Sequence, residues 1–183
     1  MPPYNQAMAP TPKSPEPKDL LVRADRAAAQ EESFRHPLNP ESEIHWTTLS
    51  RLTGLVKTGV NLLRVPPGKE SFVHHVHLVD EEWMYVISGQ GELRIGDERF
   101  PVGPGDFAGF PPRTHAHHLR NTGAGDLVYL SGGEAVDFGI ADFPELGLRM
   151  IHAGEEAKFY PVEAGRDLFG SDGGAKSGRG GSR

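Results

Sequence analysis

Three histidines and one glutamate in this chain have the side-chain types and the spacing of a divalent metal site. His75 and His77 flank a single valine, Glu82 follows five residues after His77, and His117 lies further along the chain. Imidazole nitrogen and carboxylate oxygen are donors that divalent transition metals accept in proteins. The chain contains no cysteine, so thiolate ligands and disulfides are excluded. The sequence therefore predicts a metal centre formed by these four residues, and the alternative is a polar cavity that binds no metal.

Strand geometry would bring the four side chains together. Residues i and i+2 of a β-strand point to the same face, roughly 7 Å apart, so His75 and His77 can reach one ion. Glu82 lies an odd number of residues further on and would face away on the same straight strand. The pair Asp80-Glu81 predicts a chain reversal, after which Glu82 opens the neighbouring strand and faces the same interior. His117 would reach that interior from a later strand.

Short strands separated by glycine and proline turns fill the middle of the chain. Turn signals such as Pro66-Pro67-Gly68 and Gly96-Asp97 recur about every ten residues, because proline cannot continue a strand ladder and glycine favours tight turns. This spacing predicts an all-β sandwich or small barrel. We expect residues 137–160 to leave the barrel and to return as a strand across a sheet edge.

The two ends differ in composition from the strand-rich middle. Residues 1–17 are rich in proline, which favours disorder, and residues 18–34 contain helix-favouring alanine, leucine and glutamate. The C-terminal end is rich in glycine and serine, as flexible linkers are. We therefore predict a flexible arm with room for one short helix over 1–37, a β-barrel domain over 38–165, and a flexible tail over 166–183.

Charge and hydropathy limit the classes of partner. The net charge of −6 argues against nucleic acid, since phosphate binding needs a basic face. No apolar run approaches the roughly 18 residues of a membrane span, and the N-terminus lacks the basic-then-apolar layout of a secretory signal. We therefore expect a cytoplasmic protein that binds neither nucleic acid nor membrane.

Two segments resemble the sequence motifs of the cupin superfamily. The first runs Gly68-x6-His75-x-His77-x4-Glu82-x6-Gly89, and the second runs Pro112-x4-His117-x3-Asn121 after Gly105-Asp106. The chain departs from the family pattern twice, since the first motif usually has five residues before its first histidine and the second usually has a glycine where Arg113-Thr114 stand. The chain also resembles small single-domain cupins of the cupin type-2 kind, many of them uncharacterised, in the segments Leu38-Asn39-Pro40, Glu81-Glu82-Trp83 and Tyr129 to Glu134.

This resemblance implies a fold and a ligand set. The fold would be the cupin-type double-stranded β-helix, a jelly-roll barrel. The ligands would be His75, His77, Glu82 and His117, holding one divalent transition metal ion, which the donor types leave open among Fe, Mn, Ni, Co and Zn. His115 is an alternative third imidazole, because it precedes His117 by two residues on the same strand face.

Three imidazoles and one carboxylate leave open positions on a five- or six-coordinate ion, which catalysis requires. We expect a metal-dependent enzyme that acts on a small organic substrate by dioxygenase, isomerase or lyase chemistry, with no catalytic residue beyond the ligands assigned. The alternatives are a non-catalytic cupin that binds a small molecule such as a sugar or a carboxylate, and a structural cupin without a ligand.

Residues that alternate with the ligands should point the other way. His74 and His118 would face solvent or a subunit interface, and Trp83 and Tyr85 would lie on the outer face of the barrel. Outer-face aromatic residues and the uncovered edges of such a barrel favour a homodimer.

Overall fold

Strands dominate the part of the chain that the computed structural model describes, which is residues 15–154 and 156–166. In chain order the strands are β1 (Glu32–Arg35), β2 (Glu43–Thr48), β3 (Thr58–Val65), β4 (Val76–His77), β5 (Glu82–Ser88), β6 (Gly91–Ile95), β7 (Glu98–Val102), β8 (Phe107–Phe110), β9 (His117–Asn121), β10 (Leu127–Glu134), β11 (Phe138–Phe143), β12 (Leu148–Ala153) and β13 (Glu156–Pro161). The helices are α1 (Ala24–Ala28), α2 (Leu49–Thr53) and the single 3-10 turns Pro17–Leu20, Pro144–Leu146 and Val162–Ala164. The prediction of an all-β fold is confirmed.

The strands form three antiparallel sheets whose neighbours are often distant in the chain. The largest has the order β1-β2-β3-β10-β5-β8, the second β13-β12-β11-β4, and the third β7-β6-β9. β3 and β10 pair over eight residues, from Thr58 with Glu134 to Val65 with Leu127. β10 lies between β3 and β5 and pairs with both. This pairing joins strands from the two halves of the chain and closes the barrel.

The core lies between the largest sheet and the third sheet. Alternate residues of each strand point inward, as the period of two requires, so Leu63 and Val65 of β3 pack against Met84 and Val86 of β5 in one buried cluster. Met84 and Val86 share their face with Glu82, which opens β5. The apolar core therefore continues directly into the interior end where the candidate ligands lie.

Two glycines of β10 allow the chain reversal before β5 to lie close against the sheet. A Cβ atom at Gly133 would lie 2.1 Å from the carbonyl oxygen of Glu81, and one at Gly132 would lie 2.4 Å from the Trp83 ring. The backbone N–H of Glu134 also donates to the Glu81 carbonyl at 3.4 Å. The chain reversal that positions Glu82 therefore packs directly against the backbone of β10, which is possible because glycine has no side chain there.

The sheet starts earlier than the sequence predicts. β1 pairs with β2 from Glu32 with Trp46 to Arg35 with Glu43, so residues that precede the predicted domain boundary at residue 38 are part of the largest sheet. α1 packs on the same edge, because the Thr47 hydroxyl donates to the Ala27 carbonyl at 2.9 Å. Residues 1–14 of the predicted arm and 167–183 of the predicted tail lie outside the described residues.

The segment 137–160 adds more structure than the single returning strand expected from the sequence. β11, β12 and most of β13 form an antiparallel meander, and β11 pairs with β4 through Ala141 with His77. Within the described part of the chain, no helix is long and apolar enough to cross a membrane.

Candidate metal centre

Three imidazoles converge on a single carboxylate oxygen inside the barrel. Oε2 of Glu82 lies 3.1 Å from Nε2 of His117, 3.3 Å from Nε2 of His77 and 3.7 Å from Nε2 of His75. The structure therefore brings all four residues predicted as ligands to one point. His75, His77 and Glu82 each offer a ligand atom within 4.8 Å of the others, so this trio could hold a metal ion, and His117 adjoins it through Glu82.

The four side chains come from three strands or their immediate flanks. The backbone of His75 pairs with that of His117 through N–H to carbonyl bonds of 3.2 and 2.8 Å. His77 ends the two-residue β4, and Glu82 begins β5 after the Asp80-Glu81 corner, as the sequence predicted. The site is therefore held by β4, β5 and β9 together, and none of these strands positions it alone.

Hydrogen bonds fix which nitrogen of two imidazoles faces the carboxylate. Nδ1 of His75 lies 2.7 Å from the Val73 carbonyl oxygen, and Nδ1 of His77 lies 2.8 Å from Oδ2 of Asp80. Since both partners are acceptors, each Nδ1 carries the proton, which leaves each Nε2 lone pair free for a metal. The sequence analysis treated Asp80 only as part of a turn, although its position three residues after His77 was a signal for this role.

The charges at the site suit a cation. Burial by itself raises the pKa of Glu82, but the imidazoles of His117, His75 and His77 outweigh it and hold that pKa well below its usual range. Burial lowers the pKa of His77, yet Glu82 and Asp80 together raise it above its usual value. Ser131 also donates to Oε1 of Glu82 at 3.2 Å. Glu82 is therefore ionised at neutral pH and is placed to neutralise a bound divalent ion.

The structure separates the two candidates for the third imidazole. His117 is buried, and its ring stacks on Phe110 with centroids 3.6 Å apart and an interplanar angle of 4°. His115 is exposed and lies against Gly96 at the tip of the hairpin between β6 and β7. Burial lowers the pKa of His117, which favours the neutral ring that a metal ligand needs. The geometry thus places His117 at the site and His115 outside it.

His74 and His118 point away from the site, as expected, but they do not reach solvent. Both are largely buried, with ring centroids 5.5 Å apart. Their acidic neighbours are Glu145, 3.9 Å from His74, and Glu70, 3.9 Å from His118. The reason is that other parts of the chain cover both faces of the loop before β4 and of β9. A side chain that points away from the site on these segments therefore still lies in the interior.

A cavity of about 500 Å³ opens onto three of the four candidate ligands, His75, His77 and Glu82, and its volume is within the range usual for small-molecule sites. Its apolar lining consists of Phe34, Pro37, Phe72, Ala141, Phe143, Met150 and Phe159. Asn61, Ser131 and His36 add polar groups beside His75, His77 and Glu82. His36 and Phe34 are not predicted as site residues from the sequence, because both lie in the segment predicted to be a flexible arm.

His36 occupies a defined position in this cavity. Its Nδ1 accepts a hydrogen bond from the backbone N–H of Leu38 at 3.2 Å. Burial, together with the nearby His75, lowers the pKa of His36. The ring is therefore neutral at pH 7, with its proton on Nε2.

Comparisons with known proteins agree with this architecture. Residues 61–133 match the model of the cupin domain family. A candidate sugar phosphate isomerase from Acidithiobacillus ferrooxidans is 33% identical, with a TM-score of 0.79 over 84% of this chain and 99% of that one. A sugar phosphate isomerase from Silicibacter pomeroyi is 24% identical, with a TM-score of 0.67 over 73% of this chain and 86% of that one, which shows a shared fold.

A curated relative covers a smaller region. An uncharacterized protein of Methanocaldococcus jannaschii is 36% identical over 59 residues, which are 32% of this chain and 46% of that protein, so the match spans about half its length. Together with the solved structures, these matches confirm the predicted double-stranded β-helix barrel.

Proposed function

Because this chain belongs to the cupin superfamily, we propose that it is a metal-dependent enzyme that acts on a small organic substrate. The observation that carries the proposal is the convergence of three imidazole Nε2 atoms on Oε2 of Glu82 beside a cavity of about 500 Å³. The proposed ligands are His75, His77, Glu82 and His117, and the proposed cofactor is one divalent ion of Fe, Mn, Ni, Co or Zn.

The chain's own residues define what the site can do. A bound divalent ion would supply Lewis-acid or oxygen-activating chemistry, which suits a dioxygenase, an isomerase or a lyase. His75 and His77 are held in one tautomer by Val73 and Asp80, so they need no reorganisation to bind it. The apolar cavity walls would lower the local dielectric around a bound substrate, which strengthens electrostatic interactions there.

The comparison with one solved structure supports isomerase chemistry. The relative from Acidithiobacillus ferrooxidans, which this chain covers almost completely, is named as a candidate sugar phosphate isomerase. An isomerase of that kind moves a proton between neighbouring carbons and needs a base near the metal. Among the described residues, His36 is the titratable group outside the ligand set that lines the cavity, but the bond from Leu38 occupies its Nδ1 and its Nε2 carries the proton, so it offers a donor and not a base.

A non-catalytic binding role is the second candidate. Apart from the ligands and His36, the described polar groups that line the cavity are Asn61 and Ser131, neither of which is a strong acid or base. A protein that only bound a small sugar or carboxylate through its metal would need no further acid or base in the cavity. Turnover of a substrate by the metal-loaded protein separates this role from the first.

We also propose that two copies associate and that the protein acts in the cytoplasm. Tyr85 and Ile87 of β5 and Phe107 of β8 are 42%, 44% and 66% exposed on one outer face at the edge of the largest sheet. An apolar strand edge of this kind is usually covered by a partner. The net charge of −6 supports the expectation that nucleic acid is not a partner.

Metal analysis of matched variants tests the site. Protein purified without a histidine tag should contain a divalent ion, His75→Ala should contain none, and His74→Gln should keep it, because the His74 ring lies beside Glu145 and His118 and not beside Glu82. Full metal occupancy in His75→Ala would overturn the assignment. Metal-loaded protein should then consume oxygen or convert a member of a panel of small carbonyl compounds, and binding of panel members without turnover would favour the second candidate.

A further inference from the structure

The wall of the cavity next to the candidate ligands is flat and aromatic. Phe143 stacks on the imidazole of His75 with centroids 5.7 Å apart and an interplanar angle of 22°. Phe159 meets Phe143 edge-on at 5.3 Å, and Phe34 and Phe72 line the same space. A ligand that reaches the metal therefore has to place its body against aromatic faces, which favour flat, apolar groups.

His36 provides one hydrogen-bond donor within this wall. Its ring lies 5.8 Å from Phe34, 6.2 Å from Phe143 and 6.2 Å from Phe159, measured between centroids. The bond from Leu38 occupies Nδ1, and Nε2–H makes no hydrogen bond to any described residue. A donor without a partner inside an apolar wall is suited to a ligand acceptor, because the site would reject ligands that leave it unpaired.

Cationic side chains do not line the cavity in the described part of the chain. The nearby Arg149 forms two hydrogen bonds with Asp142, at 2.7 and 2.9 Å. Arg64 is bound between Glu31 and Asp126. Phosphate groups are usually held by arginine, lysine or several backbone N–H groups, so the described lining of this cavity offers no cationic side chain for a phosphorylated sugar.

We infer that the substrate has a flat, uncharged, apolar body, one polar head that chelates the metal, and an acceptor atom that binds Nε2–H of His36. A phosphorylated sugar does not fit this description. The inference rests on the proposed function, since it needs a metal ion for the head group. His36 would act as a specificity-determining residue that touches the far part of the substrate.

Three hydroxamates that share one chelating head test the shape of the body. The protein is loaded with Co(II), whose visible absorption reports binding of the head, and titrated with benzohydroxamate, acetohydroxamate and phosphoglycolohydroxamate. Benzohydroxamate should bind about tenfold more tightly than acetohydroxamate, or better, because its ring is buried against the aromatic wall. Phosphoglycolohydroxamate should bind no more tightly than acetohydroxamate. Tightest binding of the phosphorylated probe, or no gain from the ring, would overturn the inference.

The variant His36→Phe tests the donor while it keeps the aromatic cluster filled. Nicotinohydroxamate and isonicotinohydroxamate place an acceptor nitrogen at two positions of the same ring. The substitution should weaken at least one of them by about fivefold and leave benzohydroxamate within about twofold. A variant that weakens all three probes equally, or none, would contradict the role of His36.

The two proposals fail in different ways in these titrations. If the protein takes up no Co(II) at His75, His77 and Glu82, the proposed function is wrong. If Co(II) binds and the probes change its absorption without preferring an aromatic body, the metal site stands and the inference about the substrate is wrong. Thermal melting and cobalt content of His36→Phe, unchanged from the parent protein, show that the variant is folded and loaded.

Discussion

Two groups of histidines lie on opposite sides of the same two segments. His75 and His117 face Glu82, whereas the adjacent His74 and His118 face the other way and meet each other at 5.5 Å. Both groups are buried, so burial does not distinguish them. The difference lies in their partners, because the first group converges on one carboxylate oxygen and the second does not.

The partners of the second group explain why we propose no metal site there. The nearest carboxylates belong to Glu145 for His74 and to Glu70 for His118, each at 3.9 Å. Burial and the positive charge of Arg94 both lower the pKa of His74, and the guanidinium donates to Glu145 at 2.5 Å. A cation there would compete with Arg94 for the carboxylate. We therefore base the proposed metal site on a central carboxylate with imidazoles fixed around it and not on the number of histidines.

Replacing adjacent histidines on β9 gives the largest test of this contrast. His117→Ala should lower the affinity for Co(II) by about 100-fold or more, because it removes a ligand. His118→Ala should leave the affinity within about threefold, because that ring faces away. Competition with a chromogenic chelator measures both affinities.

The alternative third ligand is decided by the same titration. His115 is exposed, so His115→Ala should bind Co(II) as the parent protein does. Loss of binding in His115→Ala, together with normal binding in His117→Ala, would show that the third imidazole had been misassigned and that the loop before β9 rearranges around the metal.

Local patterns predicted the convergence of the four side chains, because strand alternation is a local property. The spacing of His75 and His77 and the corner before Glu82 required no knowledge of distant contacts. The opposite directions of His74 and His118 followed from the same rule. What alternation could not show is what covers the outer side, so their burial was not predicted.

Other features depended on pairing between distant parts of the chain. β1 is a short polar strand, and its place in the barrel comes from pairing with β2. His36 enters the cavity because β1 is fixed there and because the meander of β11 to β13 brings Phe143 and Phe159 beside it. Neither β1 nor this meander has a strong pattern of its own, so the sequence indicated the candidate ligands but not the aromatic wall beside them.

The carboxylates that accompany the two groups provide a second, smaller test. Asp80→Asn should lower the affinity for Co(II) by about 10- to 100-fold, because Oδ2 of Asp80 fixes the tautomer of His77 and raises its basicity. Glu145→Gln changes the carboxylate beside His74 and should alter the affinity by no more than about threefold. Equal effects of the two substitutions, measured by the same chelator competition, would mean that Asp80 acts through general charge and not through His77.

The smallest expected effect concerns the free energy of unfolding, which the second group of histidines, His74 and His118, should lower. Neither ring nitrogen of His74 has a hydrogen-bond partner of good geometry, and a buried polar atom without one costs about 1–3 kcal/mol. His74→Phe should therefore raise the free energy of unfolding of the metal-free protein at pH 7 by about 1 kcal/mol, after the cost of fitting the larger ring. Thermal or urea unfolding measures the change, and Co(II) affinity should stay within about threefold.

The pH dependence of the same variant identifies the cause. Burial, and then Arg94, lower the pKa of His74 in the folded protein, so the unfolded chain binds the proton more readily. As far as His74 is concerned, the free energy of unfolding is therefore highest above the unfolded pKa of about 6.5. It decreases as the pH falls through and below that value. His74→Phe has no such proton to bind, so its advantage over the parent protein should widen between pH 7 and pH 5. If the stability of the two proteins changes in parallel over that range, or if the variant is less stable at pH 7, the buried His74 ring is not an unsatisfied polar group. The proposed contrast between the second group and the metal centre would then be wrong.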